Sequence, residues 1–171
     1  MPTNLLVKYN SLLDLLGQSE NVRNRSLRGV FDRDFVIGTP LVFNNKPIYP
    51  TSVNGSLPMD TLFRHLTTVI VDQATRKREY ERTRSVRLHW VKHQINELCK
   101  IPDSNILRFS LKEPDGFRTY IYNVSERYVI VLEPLRDRTA YYLLSAYHVT
   151  GNEKLRDKFL KKHKRRLPEL L

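Results

Sequence analysis

The run Ile106–Val149, ILRFSLKEPDGFRTYIYNVSERYVIVLEPLRDRTAYYLLSAYHV, holds four stretches rich in β-branched and aromatic residues. Turn residues separate them: Glu113-Pro114-Asp115-Gly116, a tight turn near Ser125-Glu126, and Pro134–Arg138. Loops this short cannot carry a crossover, so consecutive strands must run antiparallel, and the pattern predicts a four-stranded meander. Gly151 closes the last strand. The segment NEKLRDKFLKKHKRR (152–166) then reads as a basic helix held by Leu155 and Phe159.

Upstream, no Gly or Pro occurs from Arg76 to Lys100, which predicts one long helix beginning near residues 75–80. Leu88, Val91, Ile95 and Leu98 recur at helical spacing and mark its buried stripe. His89 and His93 fall off that stripe, on the side of Arg82 and Ser85. The helix breaks at Ile101-Pro102-Asp103. Nearer the start, Leu5, Leu6, Tyr9, Leu12, Leu13 and Leu16 predict a helix over 4–16 that stops at Gly17. Residues 18–27 read as a loop, 29–37 and 40–50 as short extended segments, and 52–58 as another loop. Pro58-Met59-Asp60 opens a short helix carrying Leu62, Phe63 and Leu66, and 67–72 is either a strand or a helix exit. The fold class is α+β, with a small mixed lobe over 1–72 and a helix–meander–helix domain over 73–171.

Charge divides at the same place. The chain has 171 residues and a net charge of +11. Residues 1–72 hold 7 basic and 6 acidic residues, a net of +1, whereas 73–171 hold 22 and 12, a net of +10. A positive field on one half attracts polyanions such as RNA, DNA or an acidic protein. The hydrophobic fraction of 40% suffices for a packed interior. The lone cysteine, Cys99, builds no disulfide framework, and the leucines near the start are interrupted by Lys8, Asn10, Ser11 and Asp14. Together these features predict a soluble, cytoplasmic protein without a signal peptide or membrane partner.

The order of basic helix, meander and basic helix resembles the barnase–EndoU–colicin–RelE-like nuclease superfamily, particularly its phage-encoded branch. The resemblance covers about residues 75–165. It rests on Arg87-Leu88-His89-Trp90-Val91-Lys92, Arg118-Thr119-Tyr120, the run YVIVLE (128–133) and Leu144-Ser145-Ala146-Tyr147. Ser145 stands where a Thr is commoner, and His148 follows Tyr147. The resemblance does not explain residues 1–72.

The resemblance implies metal-independent cleavage of RNA by attack of a 2′-OH on the adjacent phosphorus, often by a toxin or phage effector with a neutralising antitoxin or immunity protein. His89 would then move the proton, Arg118 would stabilise the phosphorane, and Ser145 and Tyr147 would orient the phosphate. Arg84, Arg87, Lys92, Tyr120, Lys161 and Lys162 would bind the substrate. No cofactor is implied.

Each residue also has a plainer role. His89 and His93 have the i, i+4 spacing of helical zinc ligands, but Trp90 follows the first His where a Glu would be needed, and nearby cations repel a metal. His89 alternatively covers Trp90 as a surface side chain. Arg118 and Tyr120 either form a phosphate clamp with a stacking platform or a snorkelling Arg beside core tyrosines. Lys161, Lys162, Lys164, Arg165 and Arg166 either track a phosphate backbone or are solvated. Glu133 either acts as a base or pairs with Arg136 or Arg138. The reading that keeps the basic surface without catalysis is a binding module for RNA or protein.

Overall fold

The computed structural model describes residues 3–51, 55–102 and 105–171, apart from the side chains of residues 3, 153, 155 and 156. Ser52–Asn54 of the expected 52–58 loop, Asp103 of the expected break and the Leu155 anchor lie outside the described residues. The elements in chain order are α1 (Glu20–Phe31), β1 (Val42–Phe43), β2 (Lys46–Pro50), α2 (Pro58–Thr67), β3 (Thr68–Asp72), β4 (Lys77–Tyr80), α3 (Arg82–Ser85), α4 (Trp90–Asn96), β5 (Ile106–Glu113), β6 (Gly116–Asn123), β7 (Tyr128–Pro134), β8 (Tyr141–His148) and α5 (Glu153–Lys164). The fold is mixed α+β.

Six strands form one sheet in the order β1-β2-β8-β7-β6-β5. β5 through β8 are consecutive antiparallel neighbours. The sheet does not end at β8, because β2 pairs with it in parallel through Ile48–Tyr141, Tyr49–Tyr142 and Pro50–Leu143. β1 and β2 form a hairpin across Asn44 and Asn45, whose φ values of 51° and 59° are the left-handed pair such a two-residue turn needs. β3 and β4 make a separate two-stranded hairpin.

Alternation along the strands gives the sheet two apolar faces. One carries Ile121, Ile130, Leu132, Tyr141 and Leu143, covered by Leu27, Val30 and Phe31 of α1, Leu62 and Leu66 of α2, and Trp90, Val91 and Ile95 of α4. The other carries Phe109, Tyr120, Tyr122 and Val129 beneath Phe159 of α5. The first cluster draws on residues from both sides of position 72. The boundary expected there falls in the turn of the β3–β4 hairpin, and the parallel β2–β8 pairing ties the first part of the chain into the main sheet. Residues 1–72 are a covering layer of this core.

Three helix expectations change. The long helix over 76–100 is instead strand β4, the short α3, a turn, and α4. Asp72 Oδ1 accepts the backbone N–H groups of Ala74 and Thr75 (2.8 and 3.3 Å), and Arg76 takes φ 57°, so the chain reverses without Gly or Pro. Glu81 then caps α3, accepting from Thr83 N (3.0 Å) and Arg84 N (2.6 Å). Residues 4–16 hold only a 3₁₀ turn, Thr3–Leu6. Asn4 bridges to Asp14 in both directions (2.8 Å each) and pins a loop, in which Leu13 and Leu15 are buried while Leu12 and Leu16 are exposed. The expected loop at 18–27 is the body of α1. That helix continues through a π turn, Asp32–Val36, over the segment expected to be extended. No described helix is long and apolar enough to cross a membrane.

Candidate nucleic-acid interface

The residues singled out for catalysis occupy two faces of the sheet. His89 lies with the helices. It is 5% exposed, its Nε2 sits 3.3 Å from the Lys8 carbonyl, and its Nδ1 has no partner among the described residues. The 4–16 loop covers it, since the Trp90 indole next to it also donates to Ser11 O at 3.1 Å. Burial, foremost, and Arg33 among the charges lower its pKa. A single helical stripe in the sequence could not show that α4 is covered on a second side. His93 stacks on Tyr9 (centroids 4.1 Å apart) and approaches Glu97 at 3.2 Å. Lys92 shares their cleft.

Arg118 alternates with Tyr120 and Tyr122, so it belongs to the α5 face. Ser145 and Tyr147 lie opposite Val131 and Val129, which belong to the same face. The sheet therefore separates His89 from Arg118, Ser145 and Tyr147. Arg118 also has its charge matched, with Asp115 at 2.6 Å and Glu133 at 2.7 Å. That is the partner Glu133 takes in place of Arg136 or Arg138. Tyr120 donates to Glu113 Oε1 at 2.6 Å and is 6% exposed, so it packs as core and presents no stacking surface. Lys162 pairs with the same Glu113. Lys161 is exposed.

The substrate-binding candidates Arg84 and Arg87 are in a different situation. The stretch of β8 beyond Leu143 is not paired with β2; α2 and α3 pack against β8, and β3 of the hairpin packs in turn against α2. Arg84 donates from Nη1 to His65 O (2.6 Å) and Thr68 O (3.1 Å), and its guanidinium lies 5.5 Å from the Tyr147 ring centre. Arg87 donates to Thr83 O at 2.8 Å and lies 5.2 Å over Trp90. The Nε atoms of both are buried without a partner.

Three residues not expected to matter, Arg78, His65 and His148, lie here as well. Arg78 is held by Thr68, through Nε to Oγ1 (2.8 Å) and Nη2 to O (2.9 Å). Its guanidinium pKa is pushed down first by burial, then by Arg84, Arg64 and Arg76, with no carboxylate opposing. His65 is shifted down by burial and by Arg78, Arg64 and Arg84. His148 is lowered by burial, then by Arg87 and Arg127, with Glu81 opposing; its Nδ1 has no described partner. None of Arg64, Arg76, Arg78, Arg84, Arg87 and Arg127 forms an ion pair with a described residue. Reading 76–100 as a helix hid Arg76 and Arg78, although the alternation of Lys77-Arg78-Glu79-Tyr80 is a strand signal.

Among the described residues, no group of three or more His, Cys, Asp or Glu side chains is placed to hold a metal. Cys99 is buried, and burial raises its thiol pKa to about 11, so it is a poor nucleophile. Compared with family models, with curated proteins and with solved structures, the chain matches none.

Proposed function

We propose that this chain binds RNA across the arginine-lined far half of β8, with Arg64, Arg76, Arg78, Arg84, Arg87 and Arg127 contacting its phosphates. Arg78 carries the reading. Its neighbours in electrostatic range are all cations, and crowding like charges around a half-buried guanidinium is unfavourable until an anion arrives. Guanidinium forks suit phosphate oxygens. The face itself reads phosphate; the choice of RNA among polyanions follows the resemblance of Arg87–Lys92 and Leu144–Tyr147 to the nuclease superfamily. A neutralising partner would present carboxylates to this same face.

The test is a titration of labelled single-stranded RNA at 50 and 200 mM salt. About five neutralised phosphates predict a slope near −3.5 in log K against log salt, a loss of roughly 100-fold. An affinity that barely changes over this range would rule the interface out.

A second reading, cleavage of the bound RNA, is favoured by His148. A largely neutral imidazole beside two arginines can take the 2′-OH proton as that oxygen attacks phosphorus. The P–O5′ bond then breaks and the departing 5′-oxygen takes a proton from the His148 imidazolium or from water, leaving a cyclic 2′,3′-phosphate and a 5′-hydroxyl. Incubation of total RNA with the protein in a chelator decides between binding and cleavage. If cleavage occurs, His148→Ala should slow it about 100-fold or more with little change in affinity. Cleavage that survives this substitution removes His148 from the reaction.

A further inference from the structure

Beneath the β3–β4 hairpin lies a cleft of about 170 Å³ whose lining includes Ser56, Thr61, Arg64, His65, Arg76 and Arg78, and no carboxylate. Thr61, Arg64 and His65 stand at i, i+3 and i+4 on α2, so they share one face of that helix. The hairpin supplies the opposite wall, with Arg76 in its turn and Arg78 on β4. Arg78 is already oriented by the two hydrogen bonds to Thr68, which leave Nη1 without a partner among the described residues. The Thr61 hydroxyl, on a side chain 5% exposed, also has no described partner. A buried hydroxyl without a hydrogen bond is costly, and here it sits among three permanent positive charges.

We propose that this cleft is a binding site for a phosphate monoester dianion, either the terminal phosphate of an RNA strand or free phosphate. The charge balance distinguishes a monoester from the backbone. A backbone diester brings one negative charge into a cleft lined by three guanidiniums and an imidazole, whereas a terminal phosphate brings close to two at neutral pH. His65, held below its ordinary value by burial and by Arg78, Arg64 and Arg84, would regain basicity with the dianion in place. The proposal depends on the RNA-binding reading only for the terminal-phosphate source.

The test combines three probes on the full chain. Inorganic phosphate should shift the His65 ring resonances saturably. Arg64→Ala, which removes an exposed side chain and should leave the fold intact, should weaken that binding about tenfold or more, and Thr61→Val should weaken it less. A 5′-phosphorylated oligoribonucleotide should bind at least about tenfold more tightly than its 5′-hydroxyl twin, and Arg64→Ala should erase the difference. Saturable phosphate binding with equal affinity for the two oligonucleotides supports the cleft with free phosphate as its ligand. Saturable phosphate binding with no affinity for either oligonucleotide keeps the cleft and overturns the RNA interface. Salt-dependent binding of the 5′-hydroxyl strand with no phosphate effect at His65 keeps the RNA interface and overturns the cleft.

Discussion

The protein has two concentrations of positive charge, and they differ in what faces them. Around the β6–β7 end of the sheet, Arg118 meets Asp115 and Glu133, Lys162 meets Glu113, and Arg138 meets Glu169 at 3.2 Å. Along the open edge of β8, Arg64, Arg76, Arg78 and Arg84 lie within electrostatic range of one another, Arg84 also meets the Tyr147 ring and backbone carbonyls, and Arg87 and Arg127 lie near His148 at the end of the strand. In the first region Arg118, Lys162 and Arg138 have their charge matched, whereas Lys161, Lys164, Arg165 and Arg166 at the end of α5 are exposed and form no ion pair with a described residue. In the second, Glu81 and Glu126 act on Arg84 and Arg87 only from a distance, and no described carboxylate forms an ion pair with these arginines. Counting lysines and arginines treats the two alike; direct ion pairs to Arg118, Lys162 and Arg138 separate them.

The most disruptive test removes residues 1–72, which should abolish cooperative unfolding altogether, read by circular dichroism on heating. The fragment would lose Leu27, Val30, Phe31, Leu62 and Leu66 from the core and β2 from the sheet. A cooperative transition in the fragment would restore an independent domain beginning near residue 73. Next, the double variant R78A/R127N should bind RNA on the order of 100-fold more weakly, because each lost charge-assisted contact contributes about 1.5 kcal/mol or more. Asn suits the left-handed φ of 51° at position 127. The matching double variant R118A/K162A should stay within about threefold of the parent. Equal losses from the two pairs would erase the distinction between the regions.

Smaller effects separate stability from binding. His89→Ala should cost about 1–3 kcal/mol in a denaturant titration and leave RNA affinity nearly unchanged, as expected for a buried side chain away from the cationic edge. Full stability after this substitution would mean that the 4–16 loop does not rest on His89. Arg118→Ala should cost about 1 kcal/mol, since its carboxylate partners are 73% and 37% exposed and water screens them. Acid should act through the histidines. His65, His89, His148 and His163 all lie below their ordinary value of 6.5 in the folded state. The unfolded chain therefore takes up protons first, so stability is full above pH 6.5 and declines as pH falls through it. Bound RNA should soften this decline through His65 and His148, which face the cationic edge. An identical pH profile with and without RNA would place both histidines away from the ligand.

The strands from Ile106 to His148 were legible because each is rich in β-branched and aromatic residues and bounded by short turns, a signal contained within a few residues. What failed depended on distant neighbours or on turns without Gly and Pro. Asp72 and Arg76 reverse the chain by side-chain capping and a left-handed arginine, so the absence of helix breakers misled. The loop over 4–16 has helical leucine spacing but is held by the Asn4–Asp14 bridge. Of the residues in the proposed interface, the sequence singles out Arg84 and Arg87 by their charge and position. It does not single out His65, Arg76 and Arg78, because only the packing of α2 against the β3–β4 hairpin brings them together. Arg118 looked like a phosphate clamp for the converse reason: its two carboxylates reach it through a turn and a strand pairing, which the spacing of residues does not display.

The parallel contact between β2 and β8 also sets a timetable for synthesis. Ile48 cannot meet Tyr141 until the ribosome has made the whole meander, which at roughly 5–20 residues per second is a delay of about 5–20 s. During that interval the β1–β2 hairpin has no sheet to join, and Leu62 and Leu66 of α2 have no floor. A nascent chain in this state carries an unpaired strand edge and exposed leucines, a form prone to aggregate or to be held by a chaperone. The part of the cationic edge that rests on β8 waits as well, because it lies beyond this closing contact, and α5 follows it from the ribosome.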